Sequence, residues 1–302
     1  MPGPATNGLG GQTACVEVRP RDDLLLVLDA GTGLRKLGRE LVKEPPFALG
    51  QGVCHLLISH THWDHIQGLP FFAPLYQQGN RVVIYGQQRD VHLSHIFSNQ
   101  TQDPYFPVGL AEVDAEVSYR ELVEGARFDV NEGAARVSCA RLNHPYVAVG
   151  YRIETPEGLS LAYVSDTAPF DRIVLGYEFV KDGPDPDQAP SSDDASTLKA
   201  MRAGVVALCQ DADLVIYDTM FEMEEYRRSP HWGHSTPEHA LDIVQEAGGR
   251  ALALFHHHPG RSDEAQAAIV RRVADKAHIE VMAAREGMAL RCTGSGVEVV
   301  EG

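Results

Sequence analysis

The sequence predicts an α/β protein in which sheets are sandwiched by helices. Three observations carry this reading. Short β-branched and Leu-rich runs bounded by turn residues recur early and late in the chain. Stretches with helical spacing of apolar residues follow them in each half. The 302 residues, 43% of them apolar, supply one sizeable core, and no linker splits the chain. One domain over 1–302 is therefore expected.

The elements follow in order. "ACVEV" (14–18), "LLLVLDA" (24–30), "VCHLLIS" (53–59) and "RVVIYG" (81–86) read as strands. Residues 31–41 read as a helix, with Leu34, Leu37 and Leu41 on one face. A helix beginning at Asp64 is expected to be limited or kinked by Pro70 and Pro74, and 88–99 reads as a better one. Residues 100–109 form a loop, with "PYFPV" (104–108) as a candidate substrate loop. The runs "EVSYREL", "ARFDV", "ARVSCARL", "AVGYRIET" and "SLAYVSD" read as further strands. The Asp-, Pro- and Ser-rich stretch 176–196 reads as an excursion or lid. Order returns with a strand at 212–221. A helix over 234–249 is expected, with Thr236 as N-cap, Pro237 at its first position and two glycines to stop it. A strand over 250–258, a helix over 262–277 and the strand "IEVMAAREG" complete the pattern.

Composition narrows the function. The net charge is −16, and Lys and Arg never cluster beyond a pair. Phosphate neutralisation dominates nucleic-acid affinity, so an extended nucleic-acid partner is disfavoured. A small anionic substrate held by metal ions suits the chain better. The five cysteines (15, 54, 139, 209, 292) are scattered and form no CxxC, which fits reduced, buried thiols in a cytoplasmic protein. No apolar run approaches the roughly 20 residues of a bilayer span, and the N-terminus lacks the n- and h-regions of a signal peptide. No membrane partner is expected; a homodimer is compatible with the sequence.

The chemistry concentrates in "LLISHTHWDHIQGLPFF" (56–72), where His60, His62, Asp64 and His65 directly follow an apolar run. In extended backbone, residues two apart project the same way, so His60 and His62 can grip one cation. Asp64 and His65 turn away with the following helix and can grip a second. Imidazole with carboxylate suits zinc best, with manganese or iron as alternatives. Two such ions about 3.5–4 Å apart can share a bridging hydroxide as nucleophile and clamp the developing oxyanion.

This stretch resembles the His-x-His-x-Asp-His signature of the metallo-β-lactamase superfamily, and further motifs are similar to its tRNase Z-like phosphodiesterase branch. They run in the expected order: "LNHPYVAVGYRIE" (142–154), "AYVSDT" (162–167), "IYDTMF" followed by "GHST" (233–236), and "ALFHHHP" (253–259). The resemblance implies a four-layer αββα sandwich. It implies that His60, His62 and His144 hold one divalent ion, that Asp64, His65 and His256 hold the other, and that Asp166 bridges them. Within His256–His258, alternation along a strand would put His256 and His258 on one face; the motif register favours His256 as ligand. The catalytic residues implied are Asp64, His234 and Asp218, with His234 protonating the leaving oxygen and Asp218 as its acidic partner.

Family members usually open with a strand before Gly-Gly-x-Thr; here that strand is expected to be absent or reduced. The arm by which some members grip tRNA is not visible in 86–130. The function expected is a dinuclear metal-dependent phosphodiesterase acting on small phosphodiesters such as 3′,5′-cyclic nucleotides, since the resemblance extends to cyclic-nucleotide phosphodiesterases of the anti-Pycsar type. The alternatives are tRNA 3′-end processing, a lactonase or other acyl hydrolase, and a non-catalytic metal- or nucleotide-binding module.

Overall fold

The computed structural model describes residues 3–176, 190–294 and 296–301. The chain groups into two compact units, Gln12–Val123 and Glu124–Gly302 joined by Met1–Gly11.

In the first unit, β1 (Val16–Arg21), β2 (Leu24–Leu28), α1 (Gly33–Leu41), β3 (Val53–Leu57), α2 (Trp63–Ile66), β4 (Arg81–Gln87), α3 (Leu93–Gln100) and β5 (Glu116–Leu122) follow one another. The strands form one sheet in sequence order. β1 runs antiparallel to β2, and β2 to β5 are parallel. Alternate residues Leu25 and Val27, Cys54 and Leu56, and Val82 and Ile84 bury against Leu34 of α1, Ile66 of α2 and Phe97 of α3. The period-2 alternation thus aims one sheet face at the helices. Parallel pairing leaves the carboxyl ends of β2, β3 and β4 at one edge, where ligands bind in such sheets.

The stretch 64–76 is not one helix. Pro70 and Pro74 break it into α2 and two 3₁₀ turns, Leu69–Phe71 and Ala73–Tyr76. The helix expected over 88–99 starts only at Leu93, where the ring of His92 accepts the Ser94 N–H as a cap.

In the second unit, β6 (Arg127–Val130), β7 (Ala135–Arg141), β8 (Val149–Glu154), β9 (Ser160–Val164), α4 (Ser192–Cys209), β10 (Leu214–Asp218), α5 (Met223–Arg228), α6 (Pro237–Glu246), β11 (Ala251–Phe255), α7 (Asp263–Ala274), β12 (Glu280–Ala283), β13 (Ala289–Thr293) and β14 (Gly296–Glu301) follow. A seven-stranded sheet has the order β12-β11-β10-β9-β8-β7-β6, and β13 pairs with β14. The strands from β9 to β12 are parallel, those from β6 to β9 antiparallel. Val164, Val215, Tyr217, Leu252 and Leu254 bury with Val205 of α4, Ile243 of α6 and Ile269 of α7.

Two expectations are corrected here. The excursion at 176–196 falls largely on 177–189, outside the described residues, but from Ser192 the chain is helical. Ser191 caps α4 by accepting from Asp194 N, and Asp193 and Asp194 complement the helix dipole, so an acidic, Ser-rich start was the first turn of a helix. The strand expected over 250–258 ends at Phe255, which removes the alternation argument for His256–His258. Ahead of β1, where the opening strand was expected to be absent or reduced, turns occupy 4–9. These dock on the N-terminus of α7, where the Asp263 carboxylate accepts from Gly8 N and Leu9 N.

Thr236 caps α6 by accepting from His239 N, with Pro237 at its first turn, as expected. All five cysteines are free. Burial pushes the Cys54 and Cys209 thiols up to about 12, which excludes thiolate chemistry there at neutral pH. No described helix is long and apolar enough to cross a membrane.

Candidate metal and catalytic site

In the first unit, β3 ends at Leu57 and delivers His60, His62, Asp64 and His65 at the carboxyl edge of the sheet. His60 Nε2 and His62 Nδ1 lie 3.1 Å apart. His65 Nε2 lies 3.4 Å from Asp64 Oδ2. Zinc–nitrogen and zinc–oxygen bonds are about 2.0–2.2 Å, so each pair is spaced to touch one cation.

A residue that sequence reasoning missed organises this half. Asp29, fully buried just past β2, accepts from Ser59 N and Ser59 Oγ, both at 2.7 Å, and from His65 Nδ1 at 2.8 Å. A carboxylate only accepts, so the His65 proton sits on Nδ1 and its Nε2 keeps a lone pair. Ser59 Oγ spends its own hydrogen on Asp29 and so accepts from His60 Nδ1 at 3.1 Å, which fixes the second ring in the same tautomer. One carboxylate therefore orients a candidate ligand from each pair, as outer partners of metal sites do. Asp29 adopts φ +60, a strained conformation for a non-glycine residue. The signal in the sequence was an aspartate ending an all-apolar strand in "LLLVLDAGTG".

Close backbone approach holds the motif against this strand end. Ala30 N donates to His65 O and Gly68 N to Ala30 O. A Cβ on Gly68 would lie 2.0 Å from Gly31 O, so only glycine fits there.

In the second unit, Asp166 follows β9, Asp218 ends β10, and His256 follows β11, at the carboxyl ends of three adjacent parallel strands. His256 Nε2 lies 3.5 Å from Asp166 Oδ1. His256 has φ +56, just past its strand end as Asp29 is past β2. His258 is directed elsewhere: its Nδ1 accepts from Gly260 N, and its ring faces Phe221. His257 Nε2 donates to Ala284 O, in the chain after β12, and since that carbonyl only accepts, Nε2 carries the proton.

His144 is buried, with Nδ1 3.1 Å from Gly233 O. The carbonyl again places the proton on Nδ1 and leaves the Nε2 lone pair. Gly233 has φ +80, and a Cβ there would lie 2.3 Å from His144 Nδ1, which explains the glycine of "GHST". The neighbouring Asn143 amide donates to Pro169 O and Arg172 O and accepts from Val174 N, tying the loop after Asp166 to the loop that carries His144.

His234 sits 8% exposed. Its Nδ1 is 3.1 Å from Asp218 Oδ2 and 3.7 Å from Asp166 Oδ2, and its ring stacks on His256 at 5.1 Å between centroids. Asp218 is fully buried and also accepts from Met220 N, Ser235 N and Thr167 N. His234 is thus pinned through Nδ1.

Both halves present imidazole nitrogens and carboxylate oxygens in paired, pre-oriented sets, the donor chemistry of divalent transition-metal sites. Comparison with known proteins agrees. Residues 25–179, just over half of the chain, match the Beta-lactamase superfamily domain family. The chain belongs to the metallo-β-lactamase superfamily, in its tRNase Z-like branch, and is a metal-dependent hydrolase. It is 27% identical over 262 residues to a "Ribonuclease Z" of Halobacterium salinarum, covering 80% of each chain. Its fold is that of the short form of human tRNase Z (TM-score 0.57, 19% identity, covering 96% of this chain and 95% of that one) and of yeast PDE1 (TM-score 0.60, 13% identity, 94% and 97%). The non-catalytic reading is thereby set aside.

Proposed function

We propose that the protein is a phosphodiesterase in which the two units act as halves of the single expected domain. His60, His62 and His144 would hold one divalent ion, and Asp64, His65 and His256 the other, with Asp166 shared. Zinc fits the imidazole-rich donors best. When bound, the two ions supply Lewis acidity toward the phosphoryl oxygens and lower the pKa of water.

The chain's own contribution is orientation and proton transfer. Asp29 and the Gly233 carbonyl fix the tautomers of three ligand rings in advance. His234, held at Nδ1 by Asp218, gives the Nε2 proton to the oxygen that departs as the P–O bond breaks. That pinned histidine beside the Asp166–His256 pair supports the reading, because the oxygen departing as the P–O bond breaks needs a proton donor.

Small phosphodiesters, cyclic nucleotides among them, are the first substrates to test, since the −16 charge suits a compact substrate. RNA is a second reading, favoured by the relatives named Ribonuclease Z, and it tempers the sequence-based case against extended nucleic acid. The metal-loaded protein should be assayed on cyclic AMP, cyclic GMP, bis(p-nitrophenyl) phosphate, a precursor tRNA and a lactone. Phosphodiester turnover is expected. Precursor tRNA cleaved far below stoichiometric protein selects the second reading, and lactone opening alone overturns both.

A further inference from the structure

In the second unit a row of rings leads outward from His256. It stacks on His234 at 5.1 Å between centroids, Phe221 meets His234 edge-on at 5.4 Å, and Trp232 lies tilted against Phe221 at 6.1 Å. Phe221 is 3% exposed, whereas Trp232, at the end of the row, is 53% exposed. The segment beneath the indole is anchored. Phe221 packs with Met220 and Tyr226 in a buried cluster, and its N–H donates to Ser235 O. Arg261 ties the same segment down through Met220 O at 2.8 Å and the Glu225 carboxylate. Trp232 ends the 3₁₀ turn Pro230–Trp232, and Gly233, at φ +80, leads the chain into His234. A single exposed apolar side chain needs no explanation by itself. Trp232 gains meaning from its place, two residues before the proposed proton donor and one ring beyond the Phe221 that touches it.

We infer that Trp232 is a nucleobase-stacking residue, which makes the substrate of this site a nucleotide phosphodiester. The inference rests on the reading proposed above. The leaving oxygen protonated by His234 carries its sugar and base with it, so a base on that side extends from His234 toward the next rings of the row. The open face of the indole offers it a flat π-surface. Every base has such a face, so stacking adds affinity without choosing among bases. The contact is also uncharged. A chain of net charge −16 repels an anionic substrate at long range, and binding through the neutral base offsets part of that repulsion.

The test uses metal-loaded wild type, Trp232→Leu, Trp232→Phe and Trp63→Phe, with metal content measured on each. The chain has two tryptophans, Trp63 and Trp232, so Trp63→Phe reports on Trp232 alone. AMP should quench its fluorescence, and ribose 5-phosphate, which lacks the base, should not. By calorimetry, Trp232→Leu should weaken AMP binding by about tenfold and leave ribose 5-phosphate binding and metal content unchanged; Trp232→Phe, which keeps a ring, should fall between. A matching rise in KM for cyclic AMP assigns the indole to the base of a mononucleotide, and a rise for precursor tRNA alone assigns it to a base of RNA. Equal quenching by AMP and ribose 5-phosphate overturns the inference, as does unchanged AMP binding in Trp232→Leu. Equal loss of both ligands, or loss of metal, also overturns it, showing that Trp232 only supports the turn. If wild type turns over no phosphodiester, the proposed function fails separately, while AMP binding still decides the role of Trp232.

Discussion

The two units prepare their candidate metal ligands in different ways. The first unit gathers four candidates within six residues of one loop and orients them with a single buried carboxylate, Asp29. The second collects His144, Asp166, Asp218, His234 and His256 from five separate segments and fixes them through several local contacts. Both place a non-glycine residue in left-handed backbone just past a strand end, Asp29 at φ +60 and His256 at φ +56. Concentrated ligands can share one support; dispersed ligands need one each. Damage to the first half should therefore spread through Asp29, and damage to the second should stay local.

The largest effect is expected for Asp166→Ala, the carboxylate proposed to be shared. Activity should fall to background and metal content should drop, both read on the same preparation; an active, fully loaded variant would remove Asp166 from the centre. His234→Ala should lower turnover by about 10²–10⁴-fold, the usual scale of acid–base catalysis, with both metals retained. Near-normal turnover there would reduce His234 to a helix-entry residue.

Asp29→Asn sharpens the contrast between the halves. Loss of the shared acceptor should weaken metal affinity by about 10–100-fold, and competition with a chelator should show it at both ions, because Asp29 reaches His65 directly and His60 through Ser59. Weakening at one ion only would contradict the hub role. Gly233→Ala should cost about 1–3 kcal/mol from its φ of +80 and displace His144, read by urea unfolding of the metal-free protein and by metal titration.

The smallest effect concerns pH. Burial holds His239 in the second unit down to about 4, and burial with Arg120 and Arg81 nearby does the same for His55 in the first. Each is lowered from 6.5. The unfolded chain then binds protons that the folded one refuses, so stability should fall as pH drops from about 6.5 toward 4 and level off below. His239→Gln should flatten that slope in urea unfolding; His55, more open to water, should contribute less. An unchanged slope would show that the ring is not held neutral.

Legibility followed the same division. The His60–His65 cluster and the apolar strand before it could be read directly, because the ligands are adjacent in sequence and the strands carry their own period. His144, Asp166 and His256 gained meaning only from ordered motifs, since one histidine or aspartate in a loop has no local signature. Asp29 was invisible because its role lies in accepting from Ser59 and His65, 30 and 36 positions away. Helix α4 was missed because its first turn has the composition of a loop.

By itself the sequence determined the class of fold, the strand-to-loop setting of the first ligands and the chemistry of the donor atoms, since apolar periodicity and side-chain type are local properties. Tertiary structure alone decided which ring nitrogen carries each proton, that His256 and not His258 stands beside Asp166, and that His234 is pinned by Asp218. Those outcomes depend on hydrogen-bond partners tens of residues apart, and only the folded backbone brings such partners within about 3 Å, the range at which they act.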